Sequence, residues 1–167
     1  MDILWLLIRW IHVLAAVTWI GGNLTLAMVI VPYFRQNLPP VKRIHLLTQI
    51  GKRFEPVVWM CVMILFFTGI GNVFESLGLS SGIEVNAYMR TLLIKLLLFI
   101  ILLILTAMHS FVFGPKLLTA IEGLDEGLDQ LPPDVDSLRK KLSIVSSMMG
   151  VVSLFVLLAA VALRMGI

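Results

Sequence analysis

The chain of 167 residues is 59% hydrophobic and 14% charged, whereas a soluble domain contains about 45–50% and about 25% of these residue types. Its mean hydropathy is +1.01. A soluble chain of this length buries only about 70% of the surface that its unfolded form exposes, so the surplus apolar surface must face lipid. The composition excludes a disordered chain and a soluble nucleic-acid binder, and the single cysteine excludes a disulfide-stapled domain.

Four stretches of the sequence carry no charged residue over 19 to 25 positions, and a helix that spans a bilayer needs about 20. These stretches are continuously apolar, whereas the strands of a membrane barrel alternate. We therefore predict an all-α, polytopic membrane protein, with residues 1–167 forming a single four-transmembrane-helix bundle. The helices are predicted at about 4–32, 56–75, 89–114 and 142–164.

Two connections between the predicted helices, at about 33–55 and 115–141, hold nine of the 13 Lys and Arg residues. The positive-inside rule places both connections in the cytoplasm and both termini outside. The expected location is therefore the cytoplasmic (inner) membrane. Each connection contains Leu-Pro-Pro, at 38–40 and 131–133, followed by a basic stretch that is compatible with a helix. This layout suggests two helical hairpins related by duplication.

Ionisable side chains inside a membrane span are energetically costly, so each is a functional candidate. His12 lies in the first predicted helix, and helical periodicity places Trp19 and Asn23 on the same face. Small residues beside this face permit a close helix contact or leave room for a flat ligand. The alternative for His12 is a structural histidine that forms a hydrogen bond across the bundle.

The third predicted helix carries Lys95 and His109 about four turns apart on one face. Lys95 either extends its ammonium group to the membrane interface or pairs with a carboxylate that belongs to a ligand. Lys95 is expected close to the level of His12, whereas His109 lies roughly 12–16 Å deeper along the parallel helix. His12 and His109 are therefore not expected to bind one shared iron.

Sulfur-containing side chains are expected at about the depth of His109. Thiolate and thioether ligands suit Cu(I), and a His/Met pair suits haem iron. His12, His109, Met60 and Met148 are therefore the candidate metal ligands, and the alternative is that methionine acts as a pliable packing residue. The complete sulfur set at this depth is Met28, Met60, Cys61, Met63, Met148 and Met149.

The sequence resembles the copper-resistance-D-like membrane proteins and the related J-type protoporphyrinogen oxidases. The resemblance covers the first three helices, about two-thirds of the chain. After Trp19, Ile20-Gly21-Gly22-Asn23 replaces the apolar and aromatic run of the oxidase pattern. The matching segments are Ile11 through Gly22, Lys52-Arg53-Phe54, Thr68-Gly69, and Lys95 through His109 to Gly114-Pro115-Lys116.

This resemblance implies a four-helix membrane fold. In the oxidase branch it implies b-type haem and porphyrinogen oxidation, with His12 and Lys95 at the matching functional positions. In the copper-resistance branch it implies the handling of copper in the cytoplasmic membrane.

The leading hypothesis is a haem-b-binding membrane protein in electron transfer or a quinone-linked redox step, which leaves an oxidoreductase activity open. His12 or His109 would be an axial ligand of the iron, while Lys95 or Arg9 would pair with the haem propionates. Besides the lipid bilayer, the expected partners are a quinone or a porphyrin, and a second copy of the chain or a larger respiratory complex.

Two alternatives remain. The first is copper transport or handling, with His109 and sulfur ligands. The second is a non-catalytic accessory subunit of a respiratory membrane complex, which would be colourless and free of metal.

Overall fold

The computed structural model describes residues 3–78 and 85–165, which form long helices and no strand. Four of these helices are long and apolar enough to cross a membrane, with mean hydropathies between 1.9 and 2.8. The predicted all-α, four-transmembrane-helix fold is therefore confirmed. We number the helices in chain order: α1 is Ile3–Asn37, α2 is Pro40–Gly78, α3 begins at Val85 and ends at Ile121, and α4 is Pro133–Met165.

The helices extend beyond the charge-free stretches, because the basic stretches 40–55 and 133–141 are already helical. Pro40 and Pro133 begin α2 and α4, and proline suits a first helical turn because its missing N–H would have no partner there. The first turns are closed by Arg43 N–H donating to the carbonyl of Pro39 and Asp136 N–H donating to that of Pro132, each at 2.9 Å. The regions predicted as connections are thus largely helix, and they carry the bundle beyond its apolar spans.

Both α1 and α3 contain a π-helical segment, Leu26–Ile30 and Met108–Phe113. Each segment is followed within two residues by a proline, Pro32 or Pro115. A proline ring presses on the carbonyl four residues earlier, and a wider π turn relieves that contact. The local sequence therefore explains why both helices widen at the same relative position.

The two helical hairpins suggested by the Leu-Pro-Pro repeat are present, since α1 packs against α2 and α3 packs against α4. Trp19 of α1 and Leu102 of α3 are the largest fully buried side chains of the described residues. Helices α1 and α3 thus occupy corresponding positions in the two hairpins. Three pairs are each 83 residues apart in the sequence: His12 and Lys95, Trp19 and Leu102, and Pro32 and Pro115.

The buried side chains form two separate clusters. The membrane cluster joins all four helices around Trp19, Cys61, Leu102 and Met149. The basic-end cluster lies where α2 and α4 begin and α3 ends. Its buried members are Val41, Ile44, Leu117, Ile121 and Val135. We call this end of the bundle, which carries residues 33–55 and 115–141, the basic end.

Candidate functional site

His12 is held in place by a threonine of the neighbouring helix. Its Nδ1 lies 2.7 Å from Thr68 Oγ1, and the Thr68 hydroxyl donates its only hydrogen to the carbonyl of Ile64, at 2.5 Å. Thr68 Oγ1 must therefore accept the hydrogen bond from His12 Nδ1–H. A neutral imidazole protonated at Nδ1 carries a lone pair on Nε2, and metal-binding histidines are commonly oriented by a hydrogen bond at their other nitrogen.

The His12 ring lies close to Gly69 of α2. A Cβ atom added at Gly69 would lie 3.6 Å from His12 Cε1, and one added at Gly71 would lie 3.7 Å from Trp5 Cζ3. These are ordinary van der Waals distances, so an alanine would fit at either position without moving α1. The hydrogen bond to Thr68 is therefore the contact that orients the His12 ring.

Lys95 of α3 is half-buried, and its positive charge acts on His12. Among the side chains that the structure describes, no carboxylate forms a salt bridge with Lys95. An ammonium group beside an imidazole lone pair repels a bare cation and attracts a ligand that carries an anionic group. The two residues that were expected at one level are therefore electrostatic neighbours, and together they form what we call the His12–Lys95 site.

Trp19 and Asn23, expected on the His12 face, are both shielded from solvent. Trp19 is 1% exposed, and its ring meets Phe99 edge-on with centroids 6.3 Å apart. The Nε1 of Trp19 and the Nδ2 of Asn23 are buried without a hydrogen-bond acceptor in the described part of the chain. A buried donor without a partner is costly, and the described residues supply no acceptor for either group. Arg9, the other residue expected to pair with a haem propionate, lies on α1 and is exposed.

His109 occupies a different environment from His12. It lies inside the π segment of α3 and is half-buried. Its ionisable neighbour is Glu55 of α2, whose negative charge acts on the imidazole. The two histidines thus face charges of opposite sign, Lys95 in one case and Glu55 in the other. The expectation that the two histidines do not bind one shared iron stays a prediction.

The sulfur-containing side chains divide between the interior and the surface. Cys61 is 2% exposed and Met149 is 8% exposed, and both belong to the membrane cluster. Met60 and Met148, the candidate ligands named from the sequence, are 57% and 49% exposed and lie on the outer surface of the bundle. Consecutive residues of a helix point about 100° apart. The buried Cys61 therefore follows the exposed Met60, and the buried Met149 follows the exposed Met148.

Counting residues along a helix predicts the depth of these sulfur atoms but not the side of the helix on which they lie. The naming of Met60 and Met148 instead of Cys61 and Met149 therefore had no support from their facing. Over residues 3–78 and 85–165 there is no group of three or more His, Cys, Asp or Glu side chains that could hold a metal ion. That criterion does not count methionine, and the assignment of metal ligands stays a prediction. Thr68 was also missed as a partner of His12, although Thr68-Gly69 stands in the segments that carry the family resemblance.

The long apolar helices and their buried polar residues define a polytopic membrane protein built as a four-helix bundle. A sequence profile described as copper resistance protein D matches residues 48–163, which is more than half of the chain. The chain therefore belongs to the copper resistance protein D family. The matched region contains Cys61, Lys95, His109 and Met149, whereas His12 lies before it.

One relative is similar to this chain over a length comparable to the family match, and its printed name states no function. An uncharacterized protein of Aquifex aeolicus (strain VF5) is 27% identical over 113 residues, which cover 67% of this chain and 72% of that protein. No solved structure matches the chain. The comparisons thus show the copper-resistance branch of the resemblance, and they do not show the oxidase branch.

Proposed function

We propose that the protein handles copper in the membrane, and that it binds Cu(I) in the bundle through Cys61 Sγ and Met149 Sδ, with His109 as a further ligand. The observation that carries this proposal is the burial of Cys61 and Met149, from α2 and α4, in one cluster. Membership of the copper resistance protein D family supports it. Copper is here the cargo of the protein.

The chemistry of these side chains suits a monovalent soft cation. Thiolate and thioether sulfur atoms select Cu(I), and imidazole is compatible with it. Binding requires the Cys61 thiolate, so the thiol proton is released as the ion enters. The resulting thiolate–Cu(I) pair has no net charge, which limits the cost of burying an ion among apolar side chains. The negative charge of Glu55 beside His109 also favours a cation in this region.

The experiment is a titration of the purified protein with Cu(I), under reducing and oxygen-free conditions, in competition with a chromogenic chelator. Cys61→Ser and Met149→Leu should each weaken Cu(I) binding by about 100-fold or more, because even a group behind a metal ligand contributes about 10–100-fold. Met60→Leu and Met148→Leu are matched controls on the exposed face and should bind as the wild type does. Equal affinity in all five proteins would sink the proposal.

A second candidate function, haem b binding in electron transfer, is favoured by the His12–Lys95 site. The Nδ1–Thr68 hydrogen bond leaves His12 Nε2 free to ligate iron, and Lys95 provides a cation for a propionate. Trp19 Nε1 and Asn23 Nδ2 are buried donors that a bound porphyrin could satisfy. When bound, a b-type haem would supply one-electron redox chemistry, with a quinone as the candidate partner.

Reduced-minus-oxidised visible spectra test this second candidate after expression with ample haem. A Soret band and an α band should appear in the wild type and be lost in His12→Ala. His45→Ala is the matched control, because His45 lies at the basic end, hydrogen-bonded to Gln49. A protein without these bands, or a His12→Ala variant that keeps them, contradicts haem binding at His12.

We further propose that the basic end lies in the cytoplasm and both termini lie outside, in the cytoplasmic membrane. The support is the concentration of nine Lys and Arg residues in 33–55 and 115–141. Reporter fusions to the C-terminus test the orientation: alkaline phosphatase should be active there and green fluorescent protein dark. The opposite pair of signals would reverse the assignment.

A further inference from the structure

A polar cleft of about 340 Å³ opens at the basic end of the bundle. It lies between the first turns of α2 and α4 and the chain that leads into α4, and it lies beside the basic-end cluster. Its walls combine charged side chains with Pro40, Leu131 and Pro133. The cleft is therefore a polar site with an apolar edge, and it lies at the basic end, beyond the charge-free stretches of α2 and α4.

The four charged side chains that line the cleft are two arginines and two aspartates, and only some of them are paired with one another. Arg43 and Arg139 line it together with Asp129 and Asp136. Asp136 accepts hydrogen bonds from Arg139 Nε at 2.9 Å and Nη2 at 2.7 Å, and Lys140 Nζ lies 2.8 Å from it. Arg139 and Lys140 thus engage both oxygens of Asp136, and Asp129 is the other carboxylate that lines the cleft.

Arg43 differs from Arg139 because it forms no ion pair with a described residue. It is half-buried. The positive charges of Arg139 and Arg35 both act on it. A guanidinium group presents several donors in a planar fork that fits phosphate oxygens. An anionic phosphate in the cleft would relieve the repulsion and satisfy these donors.

We propose that this cleft binds the phosphate headgroup of an anionic phospholipid, with Arg43 and Arg139 as its ligands. Basic pockets at the ends of membrane helices bind such headgroups. Arg35, the first charged residue after the charge-free stretch of α1, acts on Arg43, so the cleft lies near the level at which that stretch ends. The apolar wall of Pro40, Leu131 and Pro133 accommodates the glycerol region. The proposal is independent of the copper and haem assignments, because it uses none of their residues.

The test uses the full-length protein in a neutral detergent, titrated with phosphatidylglycerol or with zwitterionic phosphatidylcholine, and read out as bound lipid by native mass spectrometry. Phosphatidylglycerol should bind the wild type more tightly than phosphatidylcholine does. Arg43→Gln should lower that affinity about fivefold or more, because each basic side chain near a headgroup contributes about 1 kcal/mol. Lys42→Gln, the same charge change on the exposed neighbouring residue, should leave it unchanged.

Three outcomes overturn the proposal. The first is equal binding of the two lipids by the wild type. The second is an Arg43→Gln protein that is folded, as judged by an unchanged Tm, and that binds phosphatidylglycerol like the wild type. The third is competition in which millimolar inorganic phosphate displaces phosphatidylglycerol completely, since that result assigns the cleft to a free anion instead of a lipid.

Discussion

The His12–Lys95 site and the buried sulfur pair Cys61 and Met149 lie in one bundle but provide opposite chemical environments. The first combines an imidazole lone pair with the positive charge of Lys95. The second combines a thiol and a thioether in an apolar cluster, and the nearby His109 feels the negative charge of Glu55. The first environment favours a ligand with anionic groups, and the second favours a soft cation.

This difference shows that a histidine in a membrane helix does not by itself identify a metal. His12 and His109 have the same side chain and comparable burial, yet their ionisable neighbours carry opposite charges. Coulomb interactions are stronger in a medium of low dielectric constant, so the sign of a neighbouring charge decides whether that charge favours or opposes a bound cation. Variants that alter one environment and leave the other intact therefore test the comparison.

The largest effect is expected from Lys95→Met, which removes the charge and keeps the length of the side chain. Affinity for haem should fall by about 30-fold or more, because loss of one partner from a buried charge pair costs about 2–5 kcal/mol. The wild type should prefer haem over its dimethyl ester, and Lys95→Met should bind both alike. Visible titration measures both affinities.

Lys116→Met, at an exposed lysine, is the control, and it should bind haem as the wild type does. The affinity for Cu(I) should not decrease in either variant.

Thr68→Val should have a smaller effect on the same site. Valine keeps the shape of threonine but cannot accept the hydrogen bond from His12 Nδ1–H, so the tautomer and ring orientation of His12 are no longer fixed. Ligand affinity should fall by about tenfold, the low end for a group that orients a metal ligand. Thr106→Val is a matched control, since Thr106 is also a membrane threonine that bonds to the carbonyl four residues earlier. An equal loss in both variants would indicate a general change in helix packing.

The smallest effect is expected from Gly22→Ala, at the contact between α1 and α2. A Cβ atom at Gly22 would overlap the ring of Phe54, which must tilt away. We expect a loss of stability of about 1 kcal/mol, the low end for an overpacked contact. The measurement is a lower Tm in detergent. Gly21→Ala meets no atom within 4 Å and should keep the wild-type Tm, so similar values for both variants would contradict the close Gly22–Phe54 approach.

Much of the candidate site could be read from the sequence, because depth along a helix follows from counting residues. Lys95 was expected near the level of His12, and the structure makes them electrostatic neighbours. The choice between Met60 and Cys61, or between Met148 and Met149, depends instead on rotation about the helix axis. Rotation is set by the helices packed on either side, and uniformly apolar spans give no periodic signal that would reveal it.

The sequence alone determined the class of the protein. The scarcity of charged residues required lipid and four spans, and the Leu-Pro-Pro repeats marked the two hairpins. Only the tertiary structure decided that Thr68 fixes the tautomer of His12, that Cys61 and Met149 share one buried cluster, and that Arg43 lines a polar cleft without an ion pair to any described residue. Composition and spacing act along one chain segment at a time, whereas each of these three features depends on which faces of separate helices meet.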